Sequence, residues 1–191
     1  MIEFLYSIDL SIFHFINGTL ANSVGDVVWP FITDYDKQWI IRIPLVATWL
    51  WLVIKGGVRG RTVALMLIPL ITMSDQFTSS FLKPLIGRVR PCQAFTPDQI
   101  HLLVGCGGLS FPSSHAVNNF GVATVFSQYY PQWKQWFYGW ASLIAISRVA
   151  VGVHYPSDVV GGAICGTLIA LLIVMVWRAA SKRFFPSLAV T

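Results

Sequence analysis

Residues 147–158, with the sequence SRVAVGVHYPSD, join two long apolar segments of the chain. This junction carries an arginine, a histidine and a carboxylate, namely Arg148, His154 and Asp158. Ionisable groups at a membrane are costly and are usually retained because they have a function. The stretch therefore predicts the end of one membrane helix, the start of the next, and a functional site where the two meet.

The composition is that of an integral membrane protein. Of the 191 residues, 55% are hydrophobic and 11% are charged, whereas a soluble domain carries about 25% charged residues. The length allows a single domain, 1–191. The net charge of +5 is explained by membrane orientation and by the phosphate-binding cations described below. No basic run interleaved with aromatic residues indicates a nucleic-acid surface, so we expect no nucleic-acid partner.

Five apolar stretches are long enough to cross a bilayer, which takes about 17–25 residues. They lie near 40–55, 62–82, 111–130, 136–153 and 158–177. Residues 2–21 are apolar as well, but they contain Asp9, His14 and Asn17. The N-terminal part, 1–39, therefore provides either a sixth span or a helix that lies in the membrane interface. The sequence predicts an all-α, polytopic membrane helical bundle with five to six transmembrane helices.

The charges in the loops predict the orientation of this bundle. One side carries only basic loop residues, which are Lys55, Arg59, Arg61, Lys134, Arg178, Lys182 and Arg183. The other side carries Asp26, Asp34, Asp36 and Asp98 beside Lys37 and Arg42. Because basic loops stay on the cytoplasmic side, the second group faces outward. The loop 83–111 is then extracytoplasmic, and we expect a multi-pass protein of the cell inner membrane with its site facing the periplasm or exterior.

Three polar clusters end apolar segments on this outer side. They are residues 83–91, 112–115 and 147–158. Together they supply three cations, two histidines, several hydroxyl groups and one carboxylate. An enzyme that cleaves a phosphate ester without a metal needs cations around the phosphate oxygens, a nucleophile and a proton donor. The inventory predicts covalent phosphoryl transfer that requires neither a metal nor another cofactor.

Each residue type in the clusters suits one part of that chemistry. His154 is the candidate nucleophile, and Asp158, four residues later, is placed to hold one nitrogen of its ring. His115, at the start of a span, is the candidate acid for the leaving oxygen. Six further residues are candidate phosphate ligands through their charges, hydroxyls or helix-start N–H groups. These are Lys83, Arg90, Ser113, Ser114, Ser147 and Arg148.

Other polar residues near the clusters have simpler explanations. We expect Arg88 to be a surface cation that extends toward the membrane interface. His14 and His101 are expected to be structural, as single histidines near an interface usually are. Asp75 lies inside a span and is expected to pair with a cation or to bond a neighbouring helix.

Two of the three cysteines are candidates for a disulfide. Cys92 and Cys106 lie in the outer loop, where an oxidising compartment permits a disulfide between them, although spacing alone does not establish one.

Gly162 and Gly166 form a GxxxG pair, which predicts close helix packing within the bundle. Cys165, between them, is expected to be a small packing residue.

Three motifs resemble the signature of the type 2 phosphatidic acid phosphatase (PAP2) superfamily. They are Lys83-x6-Arg90-Pro91, Pro112-Ser113-Ser114-His115 and Ser147-Arg148-x5-His154-x3-Asp158. The resemblance implies a PAP2/haloperoxidase-like six-helix bundle and metal-independent dephosphorylation through a phosphohistidine. It assigns the same catalytic parts to His154, Asp158 and His115. It also implies phosphate contacts from Lys83, Arg90, Ser113, Arg148 and the position of Ser114. The family usually has glycine at this last position, and the departure bears on substrate shape.

The resemblance leaves the substrate open. Undecaprenyl pyrophosphate, phosphatidylglycerol phosphate, phosphatidic acid and the lipid A phosphates would all present a phosphate from the bilayer to a site at the outer interface. One alternative is transfer of the phosphate to a second lipid. Another is a catalytically silent lipid-binding protein, which the intact set of Arg148, His115, His154 and Asp158 argues against. The soluble haloperoxidases of the superfamily are disfavoured by the five spans.

Overall fold

The protein is all-helical over residues 2–184, the part that a computed structural model describes. Met1 and residues 185–191 lie outside the described part. The helices are α1 (Ile2–His14), α2 (Ser23–Thr33), α3 (Trp39–Lys55), α4 (Gly57–Gln76), α5 (Lys83–Ile86), α6 (Pro91–Ala94), α7 (Ser114–Tyr129), α8 (Lys134–Ala150) and α9 (Pro156–Phe184). Helix α1 continues into a π-helical segment, Phe15–Thr19, and Phe77–Leu82 joins α4 to α5 in the same way. The predicted all-α class is confirmed.

Each of the five predicted spans corresponds to a helix, in the order α3, α4, α7, α8 and α9. Within the described residues, α9 alone is both long and apolar enough to cross a membrane by length and composition. Helices α3 and α8 have 17 residues each and α7 has 16. The number of spans therefore stays a prediction.

Helix α7 lies at the centre of the bundle and packs against α4, α8 and α9. One cluster of buried side chains joins three helices: Val63, Met66 and Leu70 of α4, Val125 and Tyr129 of α7, and Ala170, Ile173 and Val174 of α9. The opposite face of α9 carries Val160, Ile164, Leu168 and Leu172, which are 50–61% exposed. Residues four apart lie on one face of a helix. This apolar stripe suits contact with lipid chains.

The predicted close packing at Gly162 and Gly166 is confirmed within the bundle. A Cβ atom added to Gly162 would lie 2.7 Å from the carbonyl oxygen of Ser113 and 2.8 Å from Cβ of Ala116. A Cβ added to Gly166 would overlap the carbonyl oxygen of Val117. The two glycines thus let α9 approach the backbone of α7 where that helix begins.

Helix α1 lies across one end of the bundle. The backbone N–H of Ser157, in the first turn of α9, donates to Asp9 at 2.8 Å. Eight residues later, the amide of Asn17 donates to the carbonyl oxygen of Ala150, the last residue of α8, at 2.9 Å. Eight helical residues span about 12 Å. Because the end of α8 and the start of α9 lie at the same end of the bundle, α1 runs across that end rather than along the bundle.

The segment between α5 and α7 is held down at several points. Cys92 and Cys106 form a disulfide with a Cα–Cα distance of 6.2 Å. Asn17 accepts from the N–H of His101 at 2.8 Å and donates to its carbonyl oxygen at 2.7 Å. The predicted loop 83–111 begins later than expected, because Lys83 is still helical and the chain leaves the helix at Gly87, where φ is +64°. These contacts fix the loop over the end of the bundle that α1 crosses.

We expect Gly166→Ala to destabilise the protein by about 1–3 kcal/mol, because the added methyl group forces α7 and α9 apart. The matched control is Gly139→Ala, since a Cβ at that helical position meets nothing within 4 Å. That change is expected to be neutral or to stabilise by up to about 1 kcal/mol. Thermal unfolding of both variants in the same detergent measures the difference. Equal midpoints would show that α7 and α9 are not in close contact at Gly166.

Candidate active site

The three motifs meet at the end of the bundle that α1 crosses. The backbone N–H of Ser113, in the second motif, donates to the carbonyl oxygen of Asp158, in the third, at 3.0 Å. Arg88, within the first motif, donates from Nη1 to Oδ1 of Asp158 at 2.6 Å. The carbonyl oxygen of Arg88 accepts from the N–H of Ser110 at 2.7 Å. Residues separated by up to 75 positions in sequence thus form one site.

His154 and Asp158 form a buried pair. Nδ1 of His154 lies 3.3 Å from Oδ2 of Asp158, and the two residues are 1% and 0% exposed. Gly152, with φ +83°, turns the chain between α8 and α9 and so brings the histidine back over the helix start. An ionised carboxylate only accepts, so Nδ1 carries the proton in this contact and the lone pair is on Nε2. This tautomer has the nucleophilic nitrogen on the side of the ring away from Asp158.

The His154 ring is neutral over the physiological range. Burial lowers the pKa of the imidazole to about 4; the hydrogen bond to Asp158 opposes this shift, and the charges of Arg90 and Arg148 add to it. A neutral imidazole keeps a lone pair available for attack. The His154 ring can therefore act as a nucleophile at any pH well above 4.

Two buried arginines have unused hydrogen-bond donors. Arg90 and Arg148 are 8% and 6% exposed, and Nε of each is buried without a partner among the described residues. Nη1 of Arg148 donates to the hydroxyl of Thr33, on α2, at 2.8 Å. A buried donor without an acceptor is costly. An anion bound between the two guanidinium groups would supply acceptors for both.

Lys83 adds a third positive charge to the site. Burial, followed by the positive charges of Arg90 and Arg148, lowers the pKa of Lys83 to about 8. The contributions of Arg90 and Arg148 to this shift mean that the three cations lie close enough to repel one another. Cations held together in this way form a preorganised anion-binding site.

The three serines differ in their surroundings. The hydroxyl of Ser113 is fully buried and has no partner among the described residues. Ser114 is the first residue of α7, where helix N–H groups are free to bind an anion. The phosphate contact of the Ser147 hydroxyl stays a prediction; in the structure that hydroxyl donates to the carbonyl oxygen of Ile144 at 2.7 Å. Serine inside a helix commonly bonds back to the preceding turn in this way.

His115 lies in the first turn of α7 and within electrostatic range of His154 and Arg148. Its carbonyl oxygen accepts from the side-chain amide of Asn119 at 2.9 Å. The hydroxyl of Tyr35 donates to the same amide group at 3.0 Å. The start of α7 therefore places both Ser113 and His115 on the site formed by the third motif.

The expectation that Arg88 is a surface cation is wrong. Its side chain is 20% exposed and forms an ion pair with the fully buried carboxylate of Asp158. The spacing of the motifs gives no signal for this contact, because Arg88 and Asp158 are joined only by the folded loop. Ser110 is a second residue that sequence reasoning missed, and its hydroxyl donates to Oδ2 of Asp158 at 2.5 Å.

The remaining polar residues have partners outside the site. Nε2 of His101 lies 2.7 Å from Oδ1 of Asp26, and this pair joins the loop to α2. His14 is exposed and packs edge-on against Phe95. Asp75 accepts from the amide of Asn118, on α7, at 2.9 Å. This last contact fits the expected bond to a neighbouring helix.

Comparison with known proteins agrees with the motifs. The family model of the PAP2 superfamily matches residues 64–182. The lipid A 4′-phosphatase of Bacteroides thetaiotaomicron is 35% identical over 176 residues, which cover 87% of this chain and 75% of that protein. The putative undecaprenyl-diphosphatase YbjG of Escherichia coli is 26% identical over 186 residues, covering 96% and 90%.

A solved structure has the same fold. It is that of a transmembrane PAP2-type phosphatidylglycerolphosphate phosphatase from Bacillus subtilis, which superposes with a TM-score of 0.69 at 25% identity. The match covers 94% of this chain and 89% of the other. The sequence match, the shared helical fold and the three convergent motifs lead to one conclusion: the chain belongs to the PAP2 superfamily and is a phosphatase of that family.

Proposed function

We propose that this protein is an integral membrane lipid phosphatase that removes a terminal phosphate through a phosphohistidine on His154. The observation that carries the proposal is the presence of a neutral, buried His154 beside two buried arginines whose Nε donors have no partner within residues 2–184. The histidine supplies the nucleophile. The arginines supply positive charge and N–H donors, for which the phosphate oxygens are acceptors.

In the first step, Nε2 of His154 attacks phosphorus and forms a P–N bond while the P–O bond to the lipid breaks. His115 gives its proton to the departing oxygen, so the lipid leaves as an alcohol or, from a pyrophosphate, as a monophosphate. Asp158 stabilises the positive charge that develops on the His154 ring. In the second step, water loses a proton to His115 and attacks phosphorus, which releases inorganic phosphate and regenerates His154.

The transferred group is stabilised by protein charges. Lys83, Arg90 and Arg148 surround the phosphate oxygens, and the N–H groups at the start of α7 add further donors. Three positive charges are more than enough to neutralise the charge of about −2 that a phosphate monoester carries near pH 7. We therefore propose that the reaction proceeds without a metal ion.

The relatives favour lipid A as the substrate to test first. The 35% identical relative is named a lipid A 4′-phosphatase, and lipid A carries its phosphates at the membrane interface on an amphiphile. Undecaprenyl pyrophosphate is the second candidate, because the alignment with the relative named for it covers 96% of this chain. On the distribution of basic loop residues, we propose that the site faces the periplasmic side of the inner membrane.

The first test is phosphate release from four lipids in detergent with EDTA, using purified wild type and His154→Ala. The lipids are lipid A, undecaprenyl pyrophosphate, phosphatidylglycerol phosphate and phosphatidic acid. We expect release by wild type and a loss of about a thousandfold or more for His154→Ala, since the nucleophile is gone. His14→Ala, which removes an exposed histidine, is the matched control and should retain activity.

Each other outcome of this test has a meaning. Activity of folded His154→Ala near that of wild type would reject the phosphohistidine. Loss of wild-type activity with EDTA, restored by a divalent ion, would reject metal independence. Phosphate transferred to a second lipid, seen by product analysis, would mean a phosphotransferase. No product from any lipid would favour a silent lipid-binding protein.

The pH dependence of kcat/KM is expected to have an alkaline limb that depends on Lys83. The lysine is protonated below its pKa of about 8 and loses its charge above it, so phosphate binding weakens as the pH rises past 8. His154 stays neutral down to its pKa of about 4, so it causes no acid limb between pH 5 and 8. In Lys83→Arg the charge persists, because arginine does not deprotonate in this range.

The measurement is the ratio of kcat/KM for wild type to that for Lys83→Arg between pH 5 and 10. The ionisation of the substrate is common to both enzymes and cancels in the ratio. We expect a constant ratio up to about pH 7 and a decline of up to about tenfold per pH unit well above 8. A ratio that stays constant to pH 10 would show that the charge of Lys83 does not contribute.

A further inference from the structure

Arg88 lies between two carboxylates from opposite ends of the chain. Its Nη1 donates to Oδ1 of Asp158 at 2.6 Å, and its Nη2 donates to Oδ2 of Asp9 at 2.6 Å. Nη1 also lies 2.6 Å from the hydroxyl of Ser157. The guanidinium carbon is 4.0 Å from the centre of the Tyr155 ring, a distance typical of a cation–π contact. The arginine is thus fixed on both edges and on one face.

Asp9 also caps the helix that carries Asp158. Its Oδ1 accepts from the backbone N–H of Ser157 at 2.8 Å, and its Oδ2 accepts from the Ser157 hydroxyl at 2.5 Å. Pro156 has no N–H, so the N–H of Ser157 is the first free donor of α9. A carboxylate at this position also interacts favourably with the helix dipole. Asp9, on α1, therefore caps the N-terminus of α9, a role that usually belongs to a residue next to the helix in sequence.

The two oxygens of Asp158 have different partners. Oδ2 faces His154 and also accepts from the N–H of Tyr155 at 2.8 Å and from the hydroxyl of Ser110. The bond to Tyr155 is the backbone half of a capping box, in which the third helical residue reaches back to the residue before the helix. Oδ1 has Arg88 as its partner. Without Arg88, the oxygen opposite the histidine would be a buried charge lacking its counter-charge.

We propose that Asp9 and Arg88 are positioning residues of the active site, through which α1 holds the Asp158 carboxylate in its orientation toward His154. Asp9 fixes Arg88 and the first turn of α9, and Arg88 fixes Oδ1 of Asp158. Oδ2 is then left facing the ring of His154. This inference rests on the proposed function, because it assumes that His154 is the nucleophile. It gives the N-terminal helix a part in catalysis that the three motifs do not contain.

Neither residue needs to contact the substrate for this role. Asp9 is 7% exposed; Ser157 donates to both of its oxygens, and Arg88 donates to Oδ2. A change at Asp9 or Arg88 should therefore slow the chemical step without weakening substrate binding. Part of the effect of Asp9 should pass through Arg88 to Asp158, and the rest through the cap on α9. The loss in the double variant should therefore be smaller than the product of the two single losses.

The test uses the full-length protein with Asp9→Asn, Arg88→Gln and the double variant. Asparagine has the shape of aspartate, but its NH2 group is a donor. The groups of Ser157 and Arg88 that contact Asp9 act as donors as well, so the NH2 group would lie against other donors. Removing partners that orient a functional group typically costs about 10- to 100-fold. We expect kcat to fall by about tenfold for Asp9→Asn and by up to about a hundredfold for Arg88→Gln, with KM within about twofold of wild type. The double variant should be less impaired than the product of the two single losses.

Controls separate positioning from folding. Glu3→Gln removes an exposed carboxylate of the same helix, and Arg42→Gln removes an arginine that contacts the Asp36 carbonyl oxygen and the Trp39 ring, outside the site. Both should keep wild-type kcat. Arg88→Lys should recover only part of the rate, because an ammonium group cannot bind two carboxylates edge to edge. All variants are compared at equal folded fraction by thermal unfolding in detergent.

The proposal is overturned if Asp9→Asn has the kcat of Glu3→Gln, whatever its thermal stability. It is also overturned if the losses of the two single variants multiply in the double variant. Asp9→Asn decides the matter alone if Arg88→Gln does not fold. Failure of the proposed function would look different, because His154→Ala would then remain active. Inactive His154→Ala with fully active Asp9→Asn would reject the positioning role only.

Discussion

The carboxylate of Asp158 is the group on which the active site depends. It is fully buried at the first turn of α9 and receives hydrogen bonds from Arg88, Ser110 and the backbone of Tyr155 in addition to its contact with His154. A buried carboxylate is stable only when it is paired and hydrogen-bonded. Its donors come from segments far apart in the sequence, so satisfying this one charge brings those segments to the same end of the bundle.

Close helix packing makes this arrangement possible. Gly162 and Gly166 allow the backbone of α7 to approach α9, and the N–H of Ser113 then reaches the carbonyl oxygen of Asp158. The first turn of α7, with its free N–H groups and His115, is thereby placed beside the His154 turn. A packing feature in the middle of an apolar helix thus determines the geometry of polar groups at its end.

The sequence predicted those parts of the protein that depend on local pattern. Apolar length located the five long helices, and the number of residues between polar groups located the three motifs. It failed where a contact depends on the path of a loop. Arg88 looked like a surface cation because nothing near it in sequence has the opposite charge. The bond of the Ser147 hydroxyl to Ile144 within its own helix is likewise not visible as a sequence pattern. Asp9 did give a signal, as a carboxylate inside an apolar stretch.

On the proposed function, the buried groups act on the phosphate. His154, Arg90 and Arg148 lie deep in the site, where the phosphate oxygens are common to every candidate substrate. Relatives named for lipid A and for undecaprenyl diphosphate therefore resemble this chain equally well in their chemistry. We infer that selection between lipids depends on residues outside this buried set. Helix α1 and the loop that the Cys92–Cys106 disulfide closes lie at the same end of the bundle as these groups. They are therefore the elements in which contacts with the lipid headgroup should be sought.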